Sequence, residues 1–196
     1  MSSSPVFPSP DITLGILAGG QATRLGGLDK AWLRRDGQAQ VLRIAARYRP
    51  QVAAVIVSAN RDRERYASEG LASVCDRQPG IGPLGGLDAL AQTCTTPWLL
   101  TLPVDLVDPN DCLLASLVAA GGQGAYAEDD DGPQPLVALW LVTPLRGVLQ
   151  AAIASGAHAV HALQRGLGMV PVRLEGVRFG NLNTPEDLCS AGIEPA

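Results

Sequence analysis

The sequence predicts an α/β protein in which a mostly parallel sheet is covered by helices on both faces, a three-layer sandwich. Two observations carry this. Apolar runs of strand length at 12–17, 52–58, 71–75 and 98–102 alternate with stretches of helical spacing. A strand, helix, strand order of this kind builds parallel pairs joined by right-handed crossovers. The runs at 12–17 (ITLGIL) and 52–58 (VAAVIVS) are also near-continuously apolar, as strands buried on both faces are.

Each element has a local reason. The strand at 12–17 breaks at Ala18, Gly19 and Gly20. Residues 40–48 place Val41, Ile44, Ala45 and Tyr48 on one helix face, and Pro50 follows the end. The strand at 52–58 precedes a short charged helix at 61–68, closed by Gly70. The strand at 71–75 runs into Asp76. Residues 78–86, rich in Gly and Pro, read as a loop, with a helix from about Leu87 to Gln92. WLLTL at 98–102 runs into Pro103, Val104 and Asp105. Pro109 fits the first turn of a helix reaching about Ala120, with Asp108 as its cap.

The second half is less regular. Strands are expected at 125–127 and 136–142 around a solvated acidic turn at 128–132, then a helix from Thr143 and Pro144. His158 and His161 fall on a further helix, with no carboxylate or cysteine spaced to complete a zinc site. Strands at 169–174 and 177–180 precede a final helix opened by Thr184, Pro185, Glu186 and Asp187. Trp32, Trp98 and Trp140 read as packing residues. No segment repeats and no linker divides the chain. Residues 11–196 are expected to form one domain behind a disordered tail, 1–10, which lacks the basic start and apolar core of a signal peptide.

Composition removes several function classes. A chain of 196 residues with 46% hydrophobic content can bury one sizeable core. A net charge of −4 argues against broad nucleic-acid binding, and 4% aromatic content against a base-stacking platform. No apolar run approaches the roughly 20 residues that cross a bilayer. The cysteines, Cys75, Cys94, Cys112 and Cys189, are scattered without C-x-x-C pairing, as small core residues of a reduced cytoplasmic protein would be.

Ligands of an open parallel sheet bind beyond the carboxyl ends of its strands, so the polar residues that follow strands are the candidates. Gly19 and Gly20 let backbone approach phosphate oxygens. Arg24 and Lys30 put two fixed positive charges on the same loop, LAGGQATRLGGLDK, which is neither a Walker A motif nor G-x-G-x-x-G. Ser58 and Asn60 follow the second strand. Asp76 suits a ribose, an ordered water or the capping of the glycine loop after it. Asp105 is suited to magnesium, which takes one or two protein carboxylates and completes its shell with water and phosphate. Asn181 sits before the final helix with an amide that capping does not explain.

Taken in order, these motifs resemble the molybdenum cofactor guanylyltransferases. LAGGQATRLGGLDK is similar to their signature L-A-G-G-x-x-x-R-M-G-G-x-D-K, with Leu25 in place of the usual methionine. The likeness continues in VIVSANR, in DRQPGIGPLGG from Asp76, in LPVD ending at Asp105 and in NLNTPEDL, covering about residues 12–190. The resemblance implies a Rossmann-like nucleotidyltransferase fold of the GT-A-like kind. It implies transfer of GMP from magnesium-GTP to molybdenum-molybdopterin, giving the guanine dinucleotide cofactor and pyrophosphate. Leu17, Ala18 and Gly19 would then meet guanine and ribose, with Gly20 in the same loop. Arg24 and Lys30 would hold phosphates, Asp76 would assist the nucleotide site, and Asp105 would bind Mg2+. Asn181 and Asn183 would lie on the molybdopterin side. Molybdopterin-insertion proteins and molybdoenzymes are the protein partners implied, with no nucleic acid and no membrane.

The chain departs from that pattern at three places. Ser58 stands where Asn is common, with Asn60 retained. Gln134 stands where a His-Pro pair is common. Ala157 and His158 follow Gly156 where arginine is frequent, and Arg165 or Arg173 could take over the acceptor phosphate. Rival expectations are a cytidylyltransferase, whose loop typically reads L-A-A-G, a guanylyltransferase for a cobalamin precursor or sugar phosphate, and a non-catalytic delivery module.

Overall fold

The apolar run around Leu14 becomes an interior strand of the sheet, flanked on both sides by parallel neighbours. The structure, a computed structural model, describes residues 9–19 and 29–194. Strand β1 (Ser9–Leu17) is followed by a 3-10 turn at Lys30–Trp32, the short strands β2 (Arg34–Arg35) and β3 (Gln38–Ala39), and helix α1 (Gln40–Tyr48). Next come β4 (Val52–Ser58), α2 (Arg63–Ser68), β5 (Ala72–Val74), α3 (Pro83–Thr93), β6 (Trp98–Pro103) and α4 (Leu113–Ala120). The second half holds β7 (Gly124–Asp129), β8 (Gly132–Leu141), α5 (Val142–Ser155), α6 (Val160–Gly166), β9 (Val170–Arg173), α7 (Pro185–Ser190) and β10 (Ile193–Glu194).

The main sheet has the order β5-β4-β1-β6-β8-β7-β9, and β10-β2-β3 form a small second sheet. Strands β5, β4, β1 and β6 pair in parallel; β8 is antiparallel to both β6 and β7, and β7 is parallel to β9. One strand of seven, β8, therefore runs against the rest, which agrees with the mostly parallel sheet expected. Period-two alternation sends the two sides of each strand into separate cores. Ile12, Leu14 and Ile16 pack with Val41, Ile44 and Tyr48 of α1 and with Leu113 and Leu117 of α4. Leu17, Ile56, Leu99 and Trp140 pack on the other face under α3, α5 and α6. Gly15 is needed there, since a Cβ would come within 2.8 Å of the Leu90 side chain.

Several boundaries move for physical reasons. Helix α3 begins at Pro83, because Gly85 and Gly86 lie inside a helix pressed against the sheet rather than in a loop. Strand β1 begins at Ser9, within the segment expected as a tail. Helix α4 starts at Leu113: Asn110 Oδ1, not Asp108, accepts from a backbone amide there, that of Cys112. His158 precedes α6 rather than lying on it. Residues 177–180 form no strand, because their backbone bonds go to loops, Val177 N to Leu174 O and Phe179 O from Val107 N and Asp108 N. Cys94 is buried, but Cys75, Cys112 and Cys189 are exposed, so three of the four are not core residues. Among the described residues no helix is long and apolar enough to cross a membrane.

Candidate active site

The register of the parallel strands sets the site. Leu17 lies opposite Ser58 and Pro103, and Ser58 lies opposite Val74, so four strand ends fall in one row. The residues two positions beyond that row are Gly19, Asn60, Asp76 and Asp105. Backbone bonds carry the row past the strands: Ala18 N donates to Ser58 O at 2.9 Å, Ala59 N to Val74 O at 2.8 Å and Val104 N to Leu17 O at 3.0 Å. Candidates read separately from the sequence are thus brought to one edge. Gly20 and Arg24 lie outside the described residues.

On one side of β1 the row forms a polar pair. Asn60 Nδ2 donates to Asp76 Oδ2 at 2.9 Å, and Asp76 N donates back to Asn60 Oδ1 at 2.9 Å. Ser58, buried at the strand end, reaches the other Asp76 oxygen at 3.4 Å. Such a two-way bond fixes the amide's orientation, because reversing it would set donor against donor. Helix α3 closes over the pair. A Cβ on Gly85 would come within 2.9 Å of Asp76 Oδ2, and one on Gly86 within 2.8 Å of Ser58 Oγ. Gly19 leaves open backbone beside Asn60, whose Nδ2 would be 3.8 Å from a Cβ there.

On the other side the row meets a cation. Lys30 Nζ donates to Asp105 Oδ2 at 3.0 Å and to Asn183 Oδ1 at 2.7 Å. Lys30 is presented by a short turn with buried anchors: Ala31 and Trp32 sink into the core, and Asp29 Oδ1 accepts from Ala31 N. Burial holds the Asp29 carboxyl above its ordinary value, against that hydrogen bond. Trp32 stacks at a tilt on Tyr66, and the Arg65 guanidinium lies 4.0 Å over its ring, consistent with a packing role.

Asp105 stands between the buried residues Val104 and Leu106. The Leu106 carbonyl accepts from Gln40 Nε2, a buried amide on α1 that the sequence offered no reason to single out. Leu182 N donates to Asp105 O at 3.2 Å, and Asn181 forms a bridge with Leu106. The final helix places Asn183: Thr184 and Asp187 form a capping box, and Asp187 Oδ2 also accepts from Asn183 N at 3.0 Å. The backbone bonds from Asn183 and Thr184 hold the Asp187 carboxyl below its ordinary value. Asn181 is exposed, and its amide has no hydrogen-bond partner among the described residues.

The second half corrects one expectation. The acidic run is not simply a solvated turn, because Asp129 is shielded from solvent completely. Arg173 is engaged with that run, its guanidinium bonded to Glu128, to the Asp129 carbonyl and to Asp130. Arg165 is exposed on α6.

Comparison with known proteins bears on the family and the fold. A family model described as the MobA-like NTP transferase domain matches residues 14–169. A molybdenum cofactor guanylyltransferase of Serratia proteamaculans is 36% identical over 90% of this chain and 92% of its own length. That of Photobacterium profundum is 34% identical over 90% and 93%. Among solved structures, molybdopterin-guanine dinucleotide biosynthesis protein A from Archaeoglobus fulgidus superposes with a TM-score of 0.75 at 22% identity, over 92% of this chain and 96% of that one. The 2-C-methyl-D-erythritol 4-phosphate cytidylyltransferase of Thermus thermophilus superposes with a TM-score of 0.64 at 17% identity, over 91% and 96%. At these identities the structural likeness speaks for the fold, which is that of the nucleotidyltransferases.

Proposed function

Because the chain belongs to the MobA-like NTP transferase family, we propose that it transfers GMP from GTP to molybdenum-molybdopterin, forming the guanine dinucleotide cofactor and releasing pyrophosphate. The observation that carries this reading is the convergence of Lys30 on Asp105 and Asn183, one strand away from the Asn60–Asp76 pair. A cation for phosphates and a rigid polar pair for the nucleoside lie along one sheet edge, with asparagines 181 and 183 beyond them for the acceptor.

The residues fit a magnesium ion. Asp105 gives one oxygen to Lys30, and its other oxygen has no protein donor among the described residues. No group of three or more His, Cys, Asp or Glu side chains is arranged to enclose a metal among those residues. That suits a hard ion whose remaining ligands are water and phosphate. Bound at Asp105, Mg2+ would neutralise charge on the nucleotide phosphates.

The reaction needs placement and charge more than a covalent nucleophile. An oxygen of the acceptor's terminal phosphate attacks the α-phosphorus of GTP. The bond from that phosphorus to the bridging oxygen breaks, and the electron pair leaves with pyrophosphate. A phosphate monoester is already ionised near neutral pH, so no general base is required. Leu17, Ala18, Gly19 and Gly20 offer backbone to the guanosine, with Ser58, Asn60 and Asp76 beside them. Lys30 and Arg24 stabilise the leaving phosphates. Residues 11–196 work as one nucleotidyltransferase domain of a cytoplasmic enzyme that hands its product to insertion proteins or molybdoenzymes.

The test is a substrate panel: GTP, CTP and ATP, each with molybdenum-molybdopterin and Mg2+, scored for dinucleotide. Product from GTP alone is expected, together with its loss in Asp105→Ala at unchanged secondary structure. Preference for CTP would overturn the base assignment, and near-normal activity of Asp105→Ala would remove that residue's role.

A further inference from the structure

Asp129 is a buried carboxylate that the chemistry above does not use. It ends β7 beside the start of the antiparallel β8, at the same edge of the sheet as Asp105. An ionised group taken out of water must be met by donors. Asp129 Oδ1 accepts from Asp131 N at 3.0 Å and from Gln134 Nε2 at 3.1 Å; Oδ2 accepts from Phe179 N at 2.9 Å. The first two donors belong to the same hairpin. The third comes from a segment fifty residues away and is the informative one.

Phe179 is held at both ends of its peptide unit. Its ring is buried, and its carbonyl accepts from Val107 N at 3.1 Å and Asp108 N at 3.2 Å. Two residues on, Asn181 bridges to Leu106, and Leu182 N reaches the Asp105 carbonyl. A single run of hydrogen bonds thus leads from Asp129 through Phe179 into the loop that carries Asp105 and the segment that carries Asn181 and Asn183. Gln134, standing where the resemblance points to histidine, still supplies an N–H to this carboxylate.

We infer that Asp129 is a positioning residue: by fixing Phe179 it sets the register of residues 179–183 against residues 105–108, and so shapes the acceptor side of the site. The nucleoside end of the site, at Gly19, Asn60 and Asp76, makes none of these bonds, while the phosphate end meets them at Asp105 and Lys30. The inference rests on the acceptor-side reading of Asn181 and Asn183 given above.

The test compares Asp129→Asn, which keeps the shape but turns an N–H toward Phe179 N or Gln134, with Gln134→Leu, which removes one donor only. The expected result for Asp129→Asn is a rise of about tenfold or more in KM for the molybdopterin acceptor with lower kcat, with a clearly smaller rise in the Kd for GTP, whose nucleoside contacts lie off this run of bonds and whose phosphates alone reach it through Asp105 and Lys30. Amide exchange should quicken in 179–183 and 105–108 and not around Asn60 and Asp76. Gln134→Leu should move the same quantities less, and Gln134→His should restore them; this pair decides the matter if Asp129→Asn does not fold. GTP affinity falling in step with acceptor affinity, or acceptor KM and exchange both unchanged, overturns the inference. Absence of dinucleotide from the unmodified protein overturns the acceptor reading instead, and the exchange comparison still decides whether Asp129 holds this segment.

Discussion

Lys30 and Asp105 form an ion pair of 3.0 Å in which each side chain keeps about a fifth of its surface exposed, 20% and 23%. With both side chains about four-fifths shielded, the attraction is largely offset by the desolvation of the two charges, so the pair adds little net stability. Its position is what matters: the ammonium also reaches Asn183, so one charge touches the loops after β1 and β6 and the cap of α7.

Lys30→Ala should therefore damage chemistry far more than folding. Loss of one preorganised charge facing a developing anion typically costs about a hundredfold or more in kcat. The thermal midpoint should move little. Steady-state kinetics beside a melting curve make the check, and a melting loss as large as the kinetic one would turn Lys30 into a structural residue.

If Ser58 and Asp76 serve the nucleotide as proposed, Gly86 bears on GTP binding. A Cβ there would meet Ser58 Oγ at 2.8 Å and Leu17 Cδ2 at 2.9 Å, so Gly86→Ala must push α3 outward or turn the Ser58 hydroxyl from Asp76. Overpacking of this kind costs about 1–3 kcal/mol. Weaker GTP binding and a lower melting temperature should appear together in calorimetry. Gly147, inside α5 with nothing within 4 Å of a Cβ, is the control. There alanine should stabilise by up to about 1 kcal/mol through helix propensity.

What the sequence made legible follows from the range of each interaction. Helix α1 and strand β4 were read with the bounds observed, because a clean helical stripe and a continuous apolar run are local signals. Gly19, Asn60, Asp76 and Asp105 were legible as polar residues following strands, and the register then aligned them. The start of α3 was hidden because its glycines serve contacts with distant strands. Gln40 and Asp129 were hidden for the same reason: their partners, Leu106 and Phe179, lie 66 and 50 residues away. An acidic run looks solvated until the segment that covers it is in place.

Removal of divalent metal should stop turnover without loosening the fold. In the proposed site one carboxylate, Asp105, holds the ion beside water and phosphate, so removing the ion takes no cross-link from the chain. Chelation by EDTA is expected to abolish dinucleotide formation and leave the melting temperature unchanged, with activity returning on adding Mg2+. A large drop in melting temperature would show a structural ion instead.

Asp129 should also leave a mark on acid stability. Burial by itself raises its carboxyl, but hydrogen bonds from Phe179, Gln134 and Asp131 outweigh burial and hold it below its ordinary value of 3.8. For a depressed carboxyl the stabilisation is complete above the unfolded value and is lost as pH falls through the folded one. Its charged neighbours are paired, Arg173 with Glu128 and Asp130 and Arg178 with Asp131, so the hairpin carries compensating cations. At pH 7, Asp129→Asn should cost about 1–3 kcal/mol, the penalty for a buried amide left without its acceptor, or a melting temperature lower by several degrees at roughly 2–4 °C per kcal/mol. That gap should hold down to about pH 4, near the ordinary carboxylate value, and narrow below it as the native carboxylate takes up its proton. Melting curves of both proteins from pH 7 downward provide the measurement; a gap that widens toward acid would mean that Asp129 is already protonated in the native state and that Phe179 is held by other means.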